Sequence, residues 1–283
     1  MEYLLLLLVV VFLTAQNVIQ KQYNMKITKP NTFLFGACSA LFAMIFYMIS
    51  AGFQFDFNPE FIVYSVGFAL CYSTSMIGHF LAIKFGSLSL TVLILSYSLL
   101  IPTMYGIIGL NESLSVIGIV GIICLIISLF LIVDKKDKAA FSFKWLLCLT
   151  AGFVGNGMCS TVQKMQQLRF DGNYKQEFMM LAMAICAIVL FVISLFNREK
   201  YKEGGFFTGF RFGAFNGTAN GVVNLLVMIL SGMIANSILF PSVSAGGIVA
   251  GFIVATVVYK EKLSRTQLIG YIIGTISIIL LNL

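Results

Sequence analysis

Hydrophobic residues in this chain neither alternate nor recur on a single helical face. They run almost unbroken for about twenty residues at a time, separated by short polar connections. A helix needs about 20 mostly apolar residues to cross the hydrocarbon core of a bilayer. Ten such stretches lie near 2–20, 31–51, 61–83, 87–110, 114–133, 143–163, 177–196, 206–231, 237–259 and 265–282. The longest polar connections, 21–30, 134–144, 164–176 and 197–205, are too short for a soluble domain, so function is expected within the bilayer. The run 4–13 reads as a span and not a signal peptide. The one charged residue ahead of it is Glu2, and Gln16 and Asn17 replace a small-residue cleavage site.

The pattern repeats after about 149 residues. Asn111-Glu112-Ser113-Leu114-Ser115 corresponds to Lys260-Glu261-Lys262-Leu263-Ser264, and Gly121 falls in register with Gly270. Upstream, Gly86-Ser87-Leu88-Ser89 meets Ala235-Asn236-Ser237-Ile238, and a proline-bearing span follows each, with Pro102 and Pro241. At a slightly shorter offset, Val18-Ile19-Gln20-Lys21 matches Thr161-Val162-Gln163-Lys164. The predicted fold is an all-α integral membrane protein, with ten transmembrane helices as two inverted five-helix repeats, residues 1–138 and 139–283. An odd number of spans per half inverts the second half. Inverted repeats build a pseudo-two-fold axis in the membrane plane and characterise secondary transporters.

Composition agrees with lipid as the surrounding solvent. Hydrophobic residues make up 59% of the 283 and charged residues 10%, against roughly 25% charged in soluble domains. The net charge of +7 is then a topology signal, with no nucleic-acid partner implied. Ten spans put Lys21, Lys26, Lys29, Lys84, Lys135, Lys136, Lys138, Lys144, Arg198, Lys200, Lys202, Arg211, Lys260, Lys262 and Arg265 on one face. Only Lys164, Arg169 and Lys175 fall on the other. By the positive-inside rule the basic face is cytoplasmic, and both termini are expected outside the cytoplasm, in the plasma membrane. The six cysteines, Cys38, Cys71, Cys124, Cys148, Cys159 and Cys186, lie in apolar stretches without a CxxC pair and read as packing residues.

The run Ala82-Ile83-Lys84-Phe85-Gly86-Ser87-Leu88-Ser89, a proline span, and Gly109-Leu110-Asn111-Glu112-Ser113-Leu114-Ser115 entering a glycine-bearing span form a set. With its second-half version, Val257-Val258-Tyr259-Lys260-Glu261-Lys262-Leu263-Ser264, this set resembles the drug/metabolite transporter superfamily in its ten-helix, EamA-like form. The resemblance covers the whole chain. It implies transport, a central cavity between spans 1, 3, 4, 6, 8 and 9, and spans 5 and 10 at the periphery. Two features depart from relatives: the termini fall outside the cytoplasm by charge, and Gln16 and Asn17 stand where short multidrug-resistance relatives carry an acidic residue.

Polar groups inside a span are costly unless paired, so they are functional candidates. In the eighth span Asn216, Asn220 and Asn224 recur every four residues beside Gly209, Gly213, Gly217 and Gly221. They read either as a cavity wall or as hydrogen bonds between closely packed helices. The sixth span carries Asn156, Ser160, Gln163 and Lys164, and its counterpart, the first, carries Gln16, Asn17, Gln20 and Lys21. Lys21 and Lys164 either meet an anionic group or gate, or snorkel to headgroups. Tyr72, Ser75 and His79 share a face of the third span; His79, the chain's one histidine, is a proton relay or a hydrogen-bonded structural group. Ser96, Tyr97 and Ser98 precede Pro102, while Ser242 and Ser244 follow Pro241. Each proline frees a carbonyl four residues earlier, at Ser98 and Ser237. The substrate-binding candidates are Gln16, Asn17, Gln20, Lys21, Tyr72, Ser75, His79, Tyr97, Asn156, Ser160, Gln163, Lys164, Asn216, Asn220, Asn224, Ser242 and Ser244.

Glu112 and Glu261 read as helix-start carboxylates. No acidic residue lies at mid-membrane, so carboxylate-based proton antiport has no evident carrier, and exchange or uniport is equally open. The expected function is secondary transport of a small polar metabolite or drug by alternating access. The alternative is a lipid-handling, flippase-type or assembly subunit of the same fold. With no HExxH motif and no acid pair, neither an enzyme nor a metal or other cofactor is expected. Substrate identity, direction and oligomeric state stay open.

Overall fold

The computed structural model describes all residues except 1, 28–30, 111–114, 133–141, 197–204, 232, 234–235, 262 and 281–283. The described residues form helices and connections without strands. In chain order the helices are α1 (Glu2–Lys26), α2 (Thr32–Ser50), α3 (Phe61–Phe85), α4 (Leu88–Ser96), a 3₁₀ turn (Tyr97–Leu99), α5 (Leu100–Leu110), α6 (Val116–Ile132), α7 (Phe143–Arg169), α8 (Lys175–Phe196), α9 (Gly205–Ser231), α10 (Asn236–Val257) and α11 (Arg265–Leu280). Five of them, α1, α2, α3, α7 and α8, are long and apolar enough to cross a membrane. Polar side chains start several of the helices. Asn31, Ser87 and Ser142 accept from backbone N–H groups in the first turns of α2, α4 and α7. Ser264 and Gln267 form a reciprocal capping box on α11.

Three of the predicted stretches differ from the apolar pattern. α1 and α7 continue past their apolar stretches to Lys26 and Arg169. Lys21 and Lys164 therefore lie within helices and not at their ends, because the glutamines and lysines there are good helix formers. The fourth stretch is broken into α4 and α5 at Tyr97–Leu99, just ahead of Pro102, whose missing N–H weakens the preceding turn. Glu112 and the basic residues at 135–138 and 198–202 lie outside the described residues.

The surface is apolar. α6 exposes Ile117, Ile119, Val120, Ile123, Ile126 and Ile127, and α11 exposes Leu268, Ile269, Ile272, Ile276 and Ile279. Meanwhile Gln16, Gln20, Ser39 and Asn216 are buried. Water would reverse that arrangement; hydrocarbon requires it. Close helix approach depends on glycine. A Cβ at Gly155 would stand 2.6 Å from the Ser75 nitrogen, and one at Gly217 would overlap the Ser39 carbonyl, so α7 packs on α3 and α9 on α2 backbone against backbone.

Candidate functional site

The asparagine stripe of α9 faces α1, and its glycine stripe faces α2. Asn220 Nδ2 donates to Gln16 Oε1 at 3.2 Å, and Asn224 Nδ2 donates to both the Asn220 carbonyl at 2.9 Å and Asn220 Oδ1 at 3.2 Å. One turn away, Gln20 Nε2 reaches Asn216 Oδ1 at 3.5 Å, and Asn216 Nδ2 donates to Ser39 Oγ at 3.1 Å. Gly213 and Gly217 let α2 come close enough to bring Ser39 into the seam. Gln16, Gln20 and Asn216 are 8%, 4% and 1% exposed, so amides from α1 and α9 meet a hydroxyl from α2 away from the apolar surface. Asn17 is buried on α1.

The seam is not saturated. Gln16 Nε2, Gln20 Oε1 and Asn24 Oδ1 are buried atoms without a hydrogen-bond partner. Each such group in a low-dielectric interior forgoes about 1–3 kcal/mol. Tyr47 Oη and His79 Nε2 are in the same position on α2 and α3.

The other candidates are distributed around this seam. Asn156 Nδ2 donates to Ser98 Oγ at 2.7 Å, joining α7 to the broken fourth stretch, and Ser160 Oγ donates to the Asn156 carbonyl at 3.4 Å. Gln163 Nε2 lies 3.7 Å from Met179 Sδ. Tyr72 stacks on Phe68 with ring centroids 5.8 Å apart. The backbone at Ser75 and His79 packs against Gly155 and Gly152 of α7. Tyr97 turns away from the seam: its hydroxyl lies 2.7 Å from Ser128 Oγ on α6, which donates to the Gly270 carbonyl of α11. Lys164 is half-buried within α7, and Ser244 lies within α10. Ser242 belongs to α10, but its side chain lies outside the described residues.

A second polar cluster ties α1 to the α10–α11 connection. Glu261 accepts from the Ser87 hydroxyl at 2.8 Å and the Leu88 N–H at 3.0 Å, and Lys21 Nζ lies 3.6 Å from it. The carboxylate thus caps α4, not the helix it precedes in sequence, because Ser264 and Gln267 already satisfy α11. Lys21 also sits 5.9 Å over the Tyr259 ring, and the Tyr259 hydroxyl donates to the Val18 carbonyl at 3.4 Å.

Sequence reasoning missed Ser39, Tyr23 and Asn24. Ser39 is one hydroxyl in an otherwise apolar stretch of helix. Tyr23 is buried and stacks on Phe35 at 4.9 Å, while Asn24 Nδ2 donates to the Phe80 carbonyl at 3.3 Å. The spacing Gln16, Gln20, Asn24 was the available signal for the last.

No family model matches this sequence. An uncharacterised protein of Haemophilus influenzae is 24% identical over 180 residues, 62% of this chain. The chain spans 60% of that relative's length. A crystal structure of another protein is similar across 97% of this chain and 98% of its own, with a TM-score of 0.61 at 14% identity. That likeness extends over nearly the whole length of both chains, and what it establishes is a shared helical fold.

Proposed function

We propose that this chain is a secondary transporter that moves a small polar metabolite or drug across the plasma membrane by alternating access. It is read as ten spans in two inverted repeats, in the manner of EamA-like drug/metabolite transporters, with both termini outside the cytoplasm. One observation carries the reading: a polar seam from α1, α2 and α9, with unpartnered amide atoms, runs inside a molecule whose described surface is rich in apolar side chains. Packing alone does not call for buried amides that lack partners.

The helix pairings support the inverted repeat. Pairing each of the first five stretches with the one five places later exchanges α3 on α7 with α9 on α1. The same exchange turns α2 on α9 into α8 on α3, and α1 on α10 into α7 on α4 and α5. The α2–α8, α4–α10 and α6–α11 contacts map onto themselves. A two-fold relation of this kind lets the halves exchange conformations and open either side. Lys21 and Glu261 then act as a closed contact on the basic face, joining α1 to α4 and the α10–α11 connection.

The test is solute uptake into proteoliposomes from a library of neutral, zwitterionic and charged metabolites. Uptake that saturates and drops at least tenfold in Asn216→Leu supports the reading. If wild-type vesicles take up no solute faster than empty ones, the transport reading is wrong.

A further inference from the structure

The direction of every amide in the seam is set by a backbone carbonyl, and that direction decides which atoms are left over. Asn224 Nδ2 donates to the Asn220 carbonyl, which only its amino group can do. The same group donates to Asn220 Oδ1, so Asn220 turns its amino group to Gln16 Oε1. Gln16 Nε2 is the remainder. On α2, Ser39 donates its hydroxyl proton to the Phe35 carbonyl at 2.9 Å and therefore accepts from Asn216 Nδ2. Asn216 Oδ1 then accepts from Gln20 Nε2, leaving Gln20 Oε1. Asn24 donates to the Phe80 carbonyl and leaves Oδ1. Turning any one amide over to relieve a leftover atom breaks a bond to one of these anchors.

The leftover atoms on α1 therefore read donor, acceptor, acceptor at Gln16, Gln20 and Asn24, residues that follow one another at about one turn of the helix. Gln16 and Gln20 are each more than nine-tenths buried. A carboxylate offers only acceptors and would face the Gln20 oxygen unfavourably. An ammonium offers only donors and would leave Gln16 unmet. A primary carboxamide or a lactam holds a carbonyl oxygen and an N–H on the same edge, so one planar group offers the acceptor that Gln16 Nε2 lacks and the donor that Gln20 Oε1 lacks.

We propose that this face of α1 binds a neutral solute by an amide-type edge, as in carboxamides, lactams and nucleobases. Gln16 Nε2 donates to the solute carbonyl, and Gln20 Oε1 accepts from the adjacent N–H. The proposal rests on the transport reading of the seam and names its substrate class.

The test compares probes that differ only in the donor. Purified wild-type protein is melted with uracil, benzamide or 2-pyridone, then with 1,3-dimethyluracil, N,N-dimethylbenzamide or N-methyl-2-pyridone, and with mannitol. Uracil, benzamide or 2-pyridone should raise Tm at a concentration at least tenfold below that needed by its blocked partner. Gln16→Leu and Gln20→Leu should lose that shift. Equal shifts from blocked probes, a shift from mannitol alone, no shift from any probe, or shifts retained in both variants would overturn the proposal. The wild-type comparison needs no variant to fold. Labelled uptake separates the two readings: flux of solutes without the donor rule refutes this proposal alone, whereas the donor rule in binding without flux of any solute refutes transport.

Discussion

Removing the Glu261 carboxylate should destabilise the protein far more than removing its lysine partner. Glu261 makes two hydrogen bonds at the α4 N-terminus, 2.8 Å from Ser87 Oγ and 3.0 Å from the Leu88 nitrogen. Bonds to a charged group contribute about 1.5–3 kcal/mol each, and the helix dipole adds to them. Water replaces part of this in Glu261→Ala, since the Glu261 side chain is 16% exposed, so the expected cost is about 3 kcal/mol. Lys21 is 3.6 Å away and 19% exposed, longer than the 2.7–2.9 Å of a strong charge-assisted bond. Lys21→Met should cost about 0.5–1 kcal/mol. For a chain of this size about 1 kcal/mol moves Tm by roughly 2–4 °C. Glu261→Ala should therefore lower Tm by about 6–12 °C and Lys21→Met by about 1–4 °C. The double variant should melt close to Glu261→Ala, because both changes remove the same ion pair. Melting of the four proteins in one detergent checks this. A Lys21→Met loss as deep as that of Glu261→Ala would show that the ion pair, and not the α4 cap, is what Glu261 chiefly contributes, and would refute the reasoning.

Glycine positions should divide sharply. Gly217→Ala pushes a methyl into the Ser39 carbonyl and should cost about 1–3 kcal/mol or more by overpacking. Gly247→Ala meets nothing within 4 Å and should be neutral or raise Tm, since alanine favours a helix by about 1 kcal/mol; thermal melts of both decide it. Tyr97→Phe removes a bond to Ser128, which still donates to Gly270. It should cost about 1 kcal/mol and leave solute uptake within about twofold of wild type, a difference well under 1 kcal/mol.

The elements were legible where the signal was local. Long apolar runs gave the helices, and Pro102 anticipated the break beside Tyr97. The four-residue spacing of Asn216, Asn220 and Asn224 placed them on one face, which is the face that α1 meets. Pairings across the chain were not legible. Glu261 precedes α11, but the capping box of Ser264 and Gln267 leaves it available for α4, 174 residues away along the chain from Ser87. Tyr97 sits among serines and reads as polar lining, yet a buried phenol needs an acceptor or donor wherever the fold supplies one, here Ser128 of α6. Ser39 has no polar neighbours on its stretch of helix to mark it; only the glycine stripe of α9 brings it into contact.

Alternating access through the seam is tested most directly by labelling from each side. Asn220→Cys is placed in a background with the six native cysteines replaced, and membrane-impermeant thiol reagents are applied to sealed vesicles of both orientations. The account predicts labelling from both sides, with each reaction slowed by a transported solute. A cysteine at 220 that reacts from neither side, or from one side only whatever the solute, would contradict it.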